Sequence, residues 1–393
     1  MEFDYSKEPG KRLLDRSLNT DGNPLVSIIT PFYNAGKYFE QTYNCVMNQT
    51  FPWFEWIIVD DGSTNEKDIE LLESFAEKGT RLHVYHKKNG GISTARNLAI
   101  RYTKTDIIIP LDADDLIVPT YVEKIYWSLA YNPNYAWSYT KNIGFQNQEY
   151  MWDKPFDANL EKTYNFLTYS AGIRKSDLEE VGCYDEITKH YYEDWRVWLK
   201  LLSAGKKPIK LDYYGFWYRR LDTGVLSLVN KDPEVQKLAK RLIDEVVVTA
   251  DTSVIAKEYP SVNAPGKFLK PKSSNWGRKV FKTHDRIHVM MLLPWMVMGG
   301  ADLFNLDVVR KIDKSKFEMS ILTTMPGEQS WRQRFEEYVT DIFDLPSFLD
   351  VENYAEFISY FIKSREIDII FLSNSYYGYY LLPWLRKESV SYT

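Results

Sequence analysis

From Leu25 onward the chain alternates short runs dense in β-branched and aromatic residues with stretches whose apolar positions recur every three or four residues. Residues 25–33 (LVSIITPFY), 56–60 (WIIVD), 82–86 and 107–111 (IIIPL) have the first pattern, which predicts strands. Each run leads into a polar loop carrying Gly or Asp. Residues 37–48, 66–76 and 93–103 have the second pattern and predict helices. The order βαβαβα implies an α/β fold with a mostly parallel sheet covered by helices. In open sheets of that kind ligands sit beyond the carboxyl ends of the strands, which is where the polar loops fall.

Beyond about residue 132 the pattern is less regular. Residues 135–142 read as an aromatic strand, an extended excursion runs to Asp157, and helices are expected over 176–181 and 193–204. A polar helix from Pro233 to about Glu258 leads into Pro260, Pro265, Gly266 and Pro271, a density of breakers that marks a linker. The linker is basic: Lys267, Lys270, Lys272, Arg278, Lys279, Lys282 and Arg286 face only Asp285, with Phe268, Trp276 and Phe281 interspersed. Two readings stand side by side, a solvated connector packed by a few aromatics and a peripheral contact with anionic lipid headgroups. A second βα series starts at Ile287, with strands over 287–293, 317–323, 341–345 and 367–372, a turn at Gly299-Gly300-Ala301, and helices over 302–312 and 354–364. It is Rossmann-like and stops at Thr393 after four strands without a closing helix, where two complete halves would supply six. A natural protein is expected to continue beyond Thr393. The chain thus divides into an N-terminal extension (1–23), an α/β domain with a C-terminal helix (24–258), a basic linker (259–285) and a partial Rossmann-like domain (286–393).

Composition narrows the class. At 393 residues the chain is too long for one typical core, in keeping with two domains. The 44% hydrophobic content excludes disorder and two cysteines exclude a disulfide scaffold, so Cys45 and Cys183 read as buried free thiols. A net charge of −5 argues against a nucleic-acid partner held by a broad basic surface. Met1 to Asn23 lacks the apolar centre of a targeting signal; the most apolar stretch, 287–298, contains Pro294 and falls short of the roughly 20 residues a spanning helix needs. The expected location is cytoplasmic, at most peripheral at the inner face of the cell membrane. With 29 Tyr, 20 Phe and 12 Trp at a mean hydropathy of −0.40, many rings carry polar handles and suit stacking as well as core.

Three polar loops carry candidate chemistry. Asp112-Ala113-Asp114-Asp115 follows IIIPL, and carboxylates at alternate positions on a strand edge can aim oxygens at one hard cation while leaving room for phosphate oxygens and water. The competing reading is a helix start with an Asp cap and Pro119 in the first turn, which accounts for one aspartate and not three. Asp60-Asp61-Gly62-Ser63 follows WIIV; a carboxylate there can accept from a nucleobase N–H or ribose hydroxyls, although an ordinary turn looks the same. The run from Asn89 to Asn97 (NGGISTARN) opens a helix. Its glycines allow close backbone approach, Ser93 is placed to cap, and Arg96 either reaches a phosphate or the neighbouring aspartates or is simply exposed.

The set T-P-F-Y-N (Thr30 to Asn34), V-D-D-G-S (Val59 to Ser63), N-G-G-I-S-T-A-R-N and L-D-A-D-D (Leu111 to Asp115) resembles, in order and spacing, the family 2 glycosyltransferases of the GT-A fold over roughly residues 24–225. That family transfers a sugar from a nucleotide diphosphate to a hydroxyl with inversion. The resemblance implies that Tyr33 and Asp61 contact the base, Arg96 and Asp112 the nucleotide, and Asp114 the metal, Mn²⁺ or Mg²⁺. Its Glu-Asp pair beside an aromatic is matched by Glu193-Asp194-Trp195, which implies that Asp194 is the general base; the bland alternative is the start of a helix. Trp217-Tyr218-Arg219-Arg220-Leu221 is similar to the family's Y-R-x-H segment and would place Arg219 on the diphosphate side. Leu221 stands where His is usual, so either Asp222 substitutes or water completes the metal shell. Tyr191, Tyr192, Trp195, Trp217 and Tyr218 are expected to cluster on the acceptor side.

Gly299-Gly300-Ala301-Asp302 and the run from Ile367 to Ser375 are similar to the opening of a GT-B glycosyltransferase of family 4. The nucleotide-binding half of that family is absent, so this portion is expected to be catalytically incompetent, or else a plain packing domain. Taken together, the resemblance implies an inverting, metal-dependent glycosyltransferase. Its donor would be a UDP-sugar, because Asp61 suits a uracil N–H, and its acceptor a glycan or lipid-linked hydroxyl in bacterial surface polysaccharide or glycan assembly. Two alternatives are a nucleotidyltransferase, disfavoured because no Gly-rich loop with a following Lys lies near the first strand, and a non-catalytic nucleotide- or glycan-binding protein, which need not keep Asp114 and Asp194.

Overall fold

A computed structural model describes residues 3–79, 81–188, 192–222, 232–261, 270–283 and 285–388. The first unit contains strands β1 (Val26–Phe32), β2 (Phe54–Asp60), β3 (Leu82–His86), β4 (Ile107–Pro110), β5 (Leu116–Ile117), β6 (Trp137–Gln146), β7 (Tyr150–Trp152), β8 (Gly172–Arg174), β9 (Pro208–Arg220) and β10 (Lys257–Glu258). Its helices are α1 (Gly36–Met47), α2 (Glu66–Ala76), α3 (Ile92–Tyr102), α4 (Tyr121–Ala130), α5 (Ala158–Glu161), α6 (Lys175–Glu180), α7 (Glu193–Ser203) and α8 (Pro233–Val247). The second unit runs β11 (Ile287–Leu293), α9 (Gly300–Lys311), β12 (Phe317–Thr323), α10 (Arg332–Phe335), β13 (Asp341–Asp344), α11 (Tyr354–Arg365), β14 (Ile369–Leu372) and α12 (Tyr376–Glu388).

The first sheet has the order β10-β9-β6-β8-β4-β1-β2-β3, with β5 on β9 and β7 on β6. β3, β2, β1 and β4 are parallel, as the alternating pattern predicts, whereas β8 runs antiparallel to β4 and β6. Parallel strands covered on both faces read as continuous apolar runs, and β2 is buried along its whole length. The second sheet, β13-β12-β11-β14, is entirely parallel.

Three local expectations change. The helix expected to reach Glu258 ends at Val247, because Val246, Val247, Val248 and Thr249 form a β-branched run and Thr249 Oγ1 turns back onto the Val246 carbonyl (3.1 Å); Lys257–Glu258 pairs with β9. Leu116–Ile117 is a short strand against β9, and α4 starts only at Tyr121, so the helix-start reading of the aspartates fails at that point. A closing helix does follow β14: Pro383 lies inside α12 and its tyrosines obscure the apolar period, yet Tyr377, Leu381 and Leu385 bury one face at four-residue spacing.

The two units share one core, in which Tyr121 and Trp127 of α4 join Phe343, Phe357 and Tyr360 of the second unit. The described part of the basic linker is a strap packed by its aromatics. Trp276 lies among Trp53 (5.1 Å), Trp127 (5.6 Å) and Tyr360 (4.9 Å), and Phe281 is buried. The backbone of Val280 bonds Ser364 (2.7 Å) and Asn19 (2.6 Å), which sews strap and N-terminal extension to the second unit. Lys279 pairs with Glu366 and Arg286 with Glu318, acidic partners that sequence proximity conceals. Pro265, Gly266, Lys267 and Phe268 lie outside the described residues.

Cys45 is buried and its thiol is pushed up to about 12 by burial, as suits an inert core thiol; Cys183 is only half-buried. Among the described residues no helix is long and apolar enough to cross a membrane.

Candidate active site

Phe32 pairs with Asp60, and Ile29 with Pro110, in parallel register, so the carboxyl ends of β1, β2 and β4 lie side by side and their loops meet at one edge. Asn34 ties the first loop to the second: its Oδ1 accepts from Thr64 N (2.9 Å) and Asn65 N (3.0 Å), and its own amide donates to Ser63 Oγ (3.0 Å). Tyr33, beside it, is exposed. Asp61 is buried and accepts from Lys87 Nζ (2.5 Å), Gly90 N (3.0 Å) and Gly91 N (2.7 Å). Gly62, at φ +77°, passes so near this loop that a Cβ would stand 2.8 Å from Asn89 N. Gly91, at φ +94°, is the N-cap of α3, so Ser93 sits inside the helix and does not cap it.

One turn into α3, Arg96 is buried between two carboxylates. Its Nη2 donates to Asp112 Oδ1 (2.7 Å) and its Nη1 to Glu193 Oε1 (2.7 Å), with the rings of Tyr169 and Tyr184 each 5.2 Å from the guanidinium. Burial alone would lower its pKa; Asp112 and Glu193 more than offset that and hold the charge. The guanidinium thus bridges the end of β4 to the start of α7.

The three aspartates after β4 divide their work. Asp115 turns inward and accepts from Tyr169 Oη (2.6 Å) and Arg219 N (2.6 Å), while Tyr169 Oη accepts from Asp112 N (2.9 Å). Arg219 braces the same loop, with Nε donating to Asp114 O (2.6 Å), Nη1 to Gln146 (2.6 Å) and Nη2 to Gln41 (2.8 Å). Asp112 and Asp114 remain partly exposed. Burial raises Asp112 against the pull of Arg96; burial and then Asp112 push Asp114 up to about 6. Asp222, beyond β9, is exposed, and among the described residues no cluster of three His, Cys, Asp or Glu side chains forms a ready-made metal cage.

Across from these loops, α7 starts at Glu193 behind Tyr192, which is held at φ 53°, ψ 31°, a left-handed conformation unfavourable for a bulky side chain. Asp194 Oδ2 accepts from Asn165 Nδ2 (3.3 Å), and burial, then Glu193, push this carboxyl up to about 7. Trp195 Nε1 donates to Glu161 O (2.6 Å), and Tyr192 meets the Trp195 ring edge-on. The expected aromatic cluster is therefore divided: Tyr192 and Trp195 flank Asp194, Trp217 is buried against Phe145, Tyr218 packs on Phe216, and Tyr191 lies outside the described residues.

Local sequence patterns passed over four residues of this site. Lys87 just precedes the glycine loop, and that spacing is the available signal; Glu161, Asn165 and Tyr169 lie between Asp157 and the helix expected over 176–181, a stretch without a motif, and carry none. The Glu161 carboxyl is fully buried; burial, then the neighbouring Asp194, raise its pKa well above the usual range against the opposing pull of the Phe166 and Leu167 backbone amides. An acid that stays protonated in the fold but ionises in the unfolded chain loses stability as pH rises past the unfolded pKa. Glu161→Gln, which mimics the neutral acid, is expected to melt above the parent at pH 8 and match it near pH 4; an equal gap at both pH values would refute a neutral Glu161.

Residues 27–187 match the model of glycosyl transferase family 2. The putative teichuronic acid biosynthesis glycosyltransferase TuaG of Bacillus subtilis is 31% identical over 218 residues, covering 53% of this chain and 84% of TuaG. The chain belongs to glycosyl transferase family 2. The family 2 match takes in Tyr33, Asp61, Arg96, Asp112 and Asp114, and ends before Glu193. Glycosyltransferase GlyG of Streptococcus pneumoniae is 35% identical over 103 residues, and the aligned part spans only 34% of GlyG. Among solved structures, S. aureus TarS 1-349 in complex with UDP-GlcNAc is 21% identical, with a TM-score of 0.49 over 58% of this chain and 67% of that one.

Proposed function

We propose that the chain transfers a sugar from a nucleotide diphosphate, a UDP-sugar, to a hydroxyl of a glycan or lipid-linked acceptor in bacterial surface polysaccharide assembly, with inversion at the anomeric carbon. The observation that carries this reading is the placing of Asp61 and the Asp112–Asp114 loop at the carboxyl ends of strands that flank β1, with Arg96 joining Asp112 to Glu193 at the start of the helix that bears Asp194. Tyr33 and Asp61 bind the base; Lys87 and the Gly90 and Gly91 amides orient the Asp61 carboxylate. Asp194 takes the proton of the attacking acceptor hydroxyl, while Glu193 and Arg96 fix its helix and Tyr192 and Trp195 offer rings to a sugar face.

The donor set fits a divalent cation. Asp112 and Asp114 are the partly exposed carboxylates of the loop after β4, where Asp112 takes only one bond from Arg96 and burial with the charge of Asp112 raises Asp114, an environment that a bound cation would relieve. Asp114, with Asp112, would hold Mn²⁺ or Mg²⁺ with the remaining positions left to diphosphate oxygens and water. When bound, the metal offsets negative charge on the diphosphate leaving group. Arg219 supports this arrangement from beneath the loop.

Melting of the full chain with a panel of UDP-, GDP- and dTDP-sugars and Mn²⁺ tests the reading, since a ligand that binds only the native state raises its stability. A UDP-sugar should give the largest rise, lost on removing Mn²⁺ and in Asp114→Ala. No response to any nucleotide sugar would overturn the transferase reading, and a response independent of Asp114 would remove it from the metal site.

The second unit is read as a Rossmann-like domain similar to the N-terminal half of a GT-B glycosyltransferase. Its strand order places the third, second, first and fourth strands in sequence, as in the first four strands of a doubly wound sheet. Any contact with anionic headgroups at the inner face of the cell membrane would rest on the exposed Lys270, Lys272 and Lys282, since Trp276 and Phe281 pack inward.

A further inference from the structure

A small cavity lies behind the segment that supports Asp194. Residues of that segment alternate between the two: Asn165 donates to Asp194 and Tyr169 to Asp115, while Phe166 and Thr168 line the cavity. Trp152, at the end of β7, forms another wall and is fixed by Nε1 donating to Phe166 O (3.1 Å). The cavity and the candidate base are thus contacted by the same segment of chain.

Its chemistry is selective. Tyr139 lines the cavity, and its hydroxyl is buried and has no hydrogen-bond partner, the kind of group a buried water satisfies. Three lysines, Lys141, Lys154 and Lys210, line it with one acidic residue, Asp153. Asp153 bridges Lys141 and Lys210 at 2.6 Å each and so holds both in place; Asp212 also takes Lys141 (2.6 Å). Lys154 is exposed, stands over the Trp152 ring at 5.5 Å, and forms no carboxylate pair among the described residues. A flat ring with an exposed ammonium over it, unpaired with any carboxylate among the described residues, suits a sugar carrying negative charge. The enclosed space is about that of one water, so the sugar would stay outside it, with its ring on Trp152 and its charged group on the exposed Lys154.

We propose that the Trp152 and Lys154 wall of this cavity is an acceptor subsite for an anionic saccharide residue, with the ring on Trp152 and its carboxylate or phosphate on Lys154. The proposal rests on the transferase reading for its role, though not for the binding itself. Saturation-transfer NMR on the full chain at low salt, with D-glucuronate, D-glucose 6-phosphate, D-glucose and inorganic phosphate as probes, tests it. One of the two anionic sugars should bind about fivefold tighter than glucose, the worth of one partly exposed charge pair, and the winner tells carboxylate from phosphate. Lys154→Ala should erase the preference, Trp152→Ala should weaken both anionic sugars, and added salt should weaken them further. Equal binding of glucose, binding of no sugar, a preference that survives Lys154→Ala, or inorganic phosphate binding as well as the sugars would each overturn it. Lys154 is exposed, so Lys154→Ala should keep the parent's melting temperature and nucleotide response. If the parent itself lacks the nucleotide response yet shows the sugar preference, the transferase reading fails and the subsite stands.

Discussion

Asp194→Asn is expected to lower sugar transfer by about 10²–10⁴-fold while leaving the donor-induced rise in melting temperature intact, the range a positioned general base contributes. The substitution keeps the size and one acceptor oxygen, so Asn165 Nδ2 still has its partner and the start of α7 should hold. What is lost is the capacity to take a proton from the acceptor hydroxyl. The pH profile gives an independent readout. Burial and Glu193 push this carboxyl up to about 7, and only the ionised form accepts a proton, so the rate should rise about tenfold per pH unit below that point and level off above it. That acid limb should disappear from the residual activity of the variant. A parallel loss of donor binding and transfer would assign Asp194 a structural role, because a group acting only in the transition state leaves ground-state binding unchanged.

The parts of this site that lie at strand ends were legible from residue order alone, for a physical reason. Parallel strands bury both faces, so they read as unbroken apolar runs, and the first polar residues after each run are the ones the fold presents at the carboxyl edge. Asp61, Asp112 and Asp114 were found that way. The long-range partners were not, because nothing local encodes them. Tyr169 lies 57 residues from the Asp112 amide it supports, and Arg219 lies 105 residues from the Asp114 carbonyl it braces. The closing helix α12 is hidden in the sequence because Pro383 and a run of tyrosines mask its period, and packing against the core overrides both. The basic strap looked solvated because its acidic partners, Glu366 and Glu318, are remote in sequence and close in space.

Arg365→Met is expected to destabilise the whole chain by about 3–5 kcal/mol, the penalty for leaving a buried charge without its partner, against a typical total of about 5–15 kcal/mol. Arg365 is buried in the second unit and donates to Glu123 Oε2 (2.7 Å) on α4 and to Asp341 Oδ2 (2.6 Å) on β13. Asp341 is also held by Arg16 (2.6 Å) of the N-terminal extension, and Glu123 by Thr50 (2.6 Å) and the Tyr360 hydroxyl. Two guanidiniums and two carboxylates thus form a neutral set that joins three segments of the chain. Removing Arg365 leaves Asp341 with Arg16 but strands Glu123 with only neutral donors. Adding Glu123→Gln should therefore restore part of the loss, a recovery that simple loss of packing would not give. The effect should reach the active site, because only β5 and a short turn separate the aspartate loop from α4, and Thr42 Oγ1 ties that loop to α1 through Ala113 O and Asp115 O (3.0 Å each). Urea unfolding followed by tryptophan fluorescence should show one transition at lower denaturant, with the nucleotide-induced shift reduced in step. A separate early transition that leaves that shift at its parental size would mean that the buried set holds the second unit alone, and that the aspartate loop owes its position to β9 and Arg219.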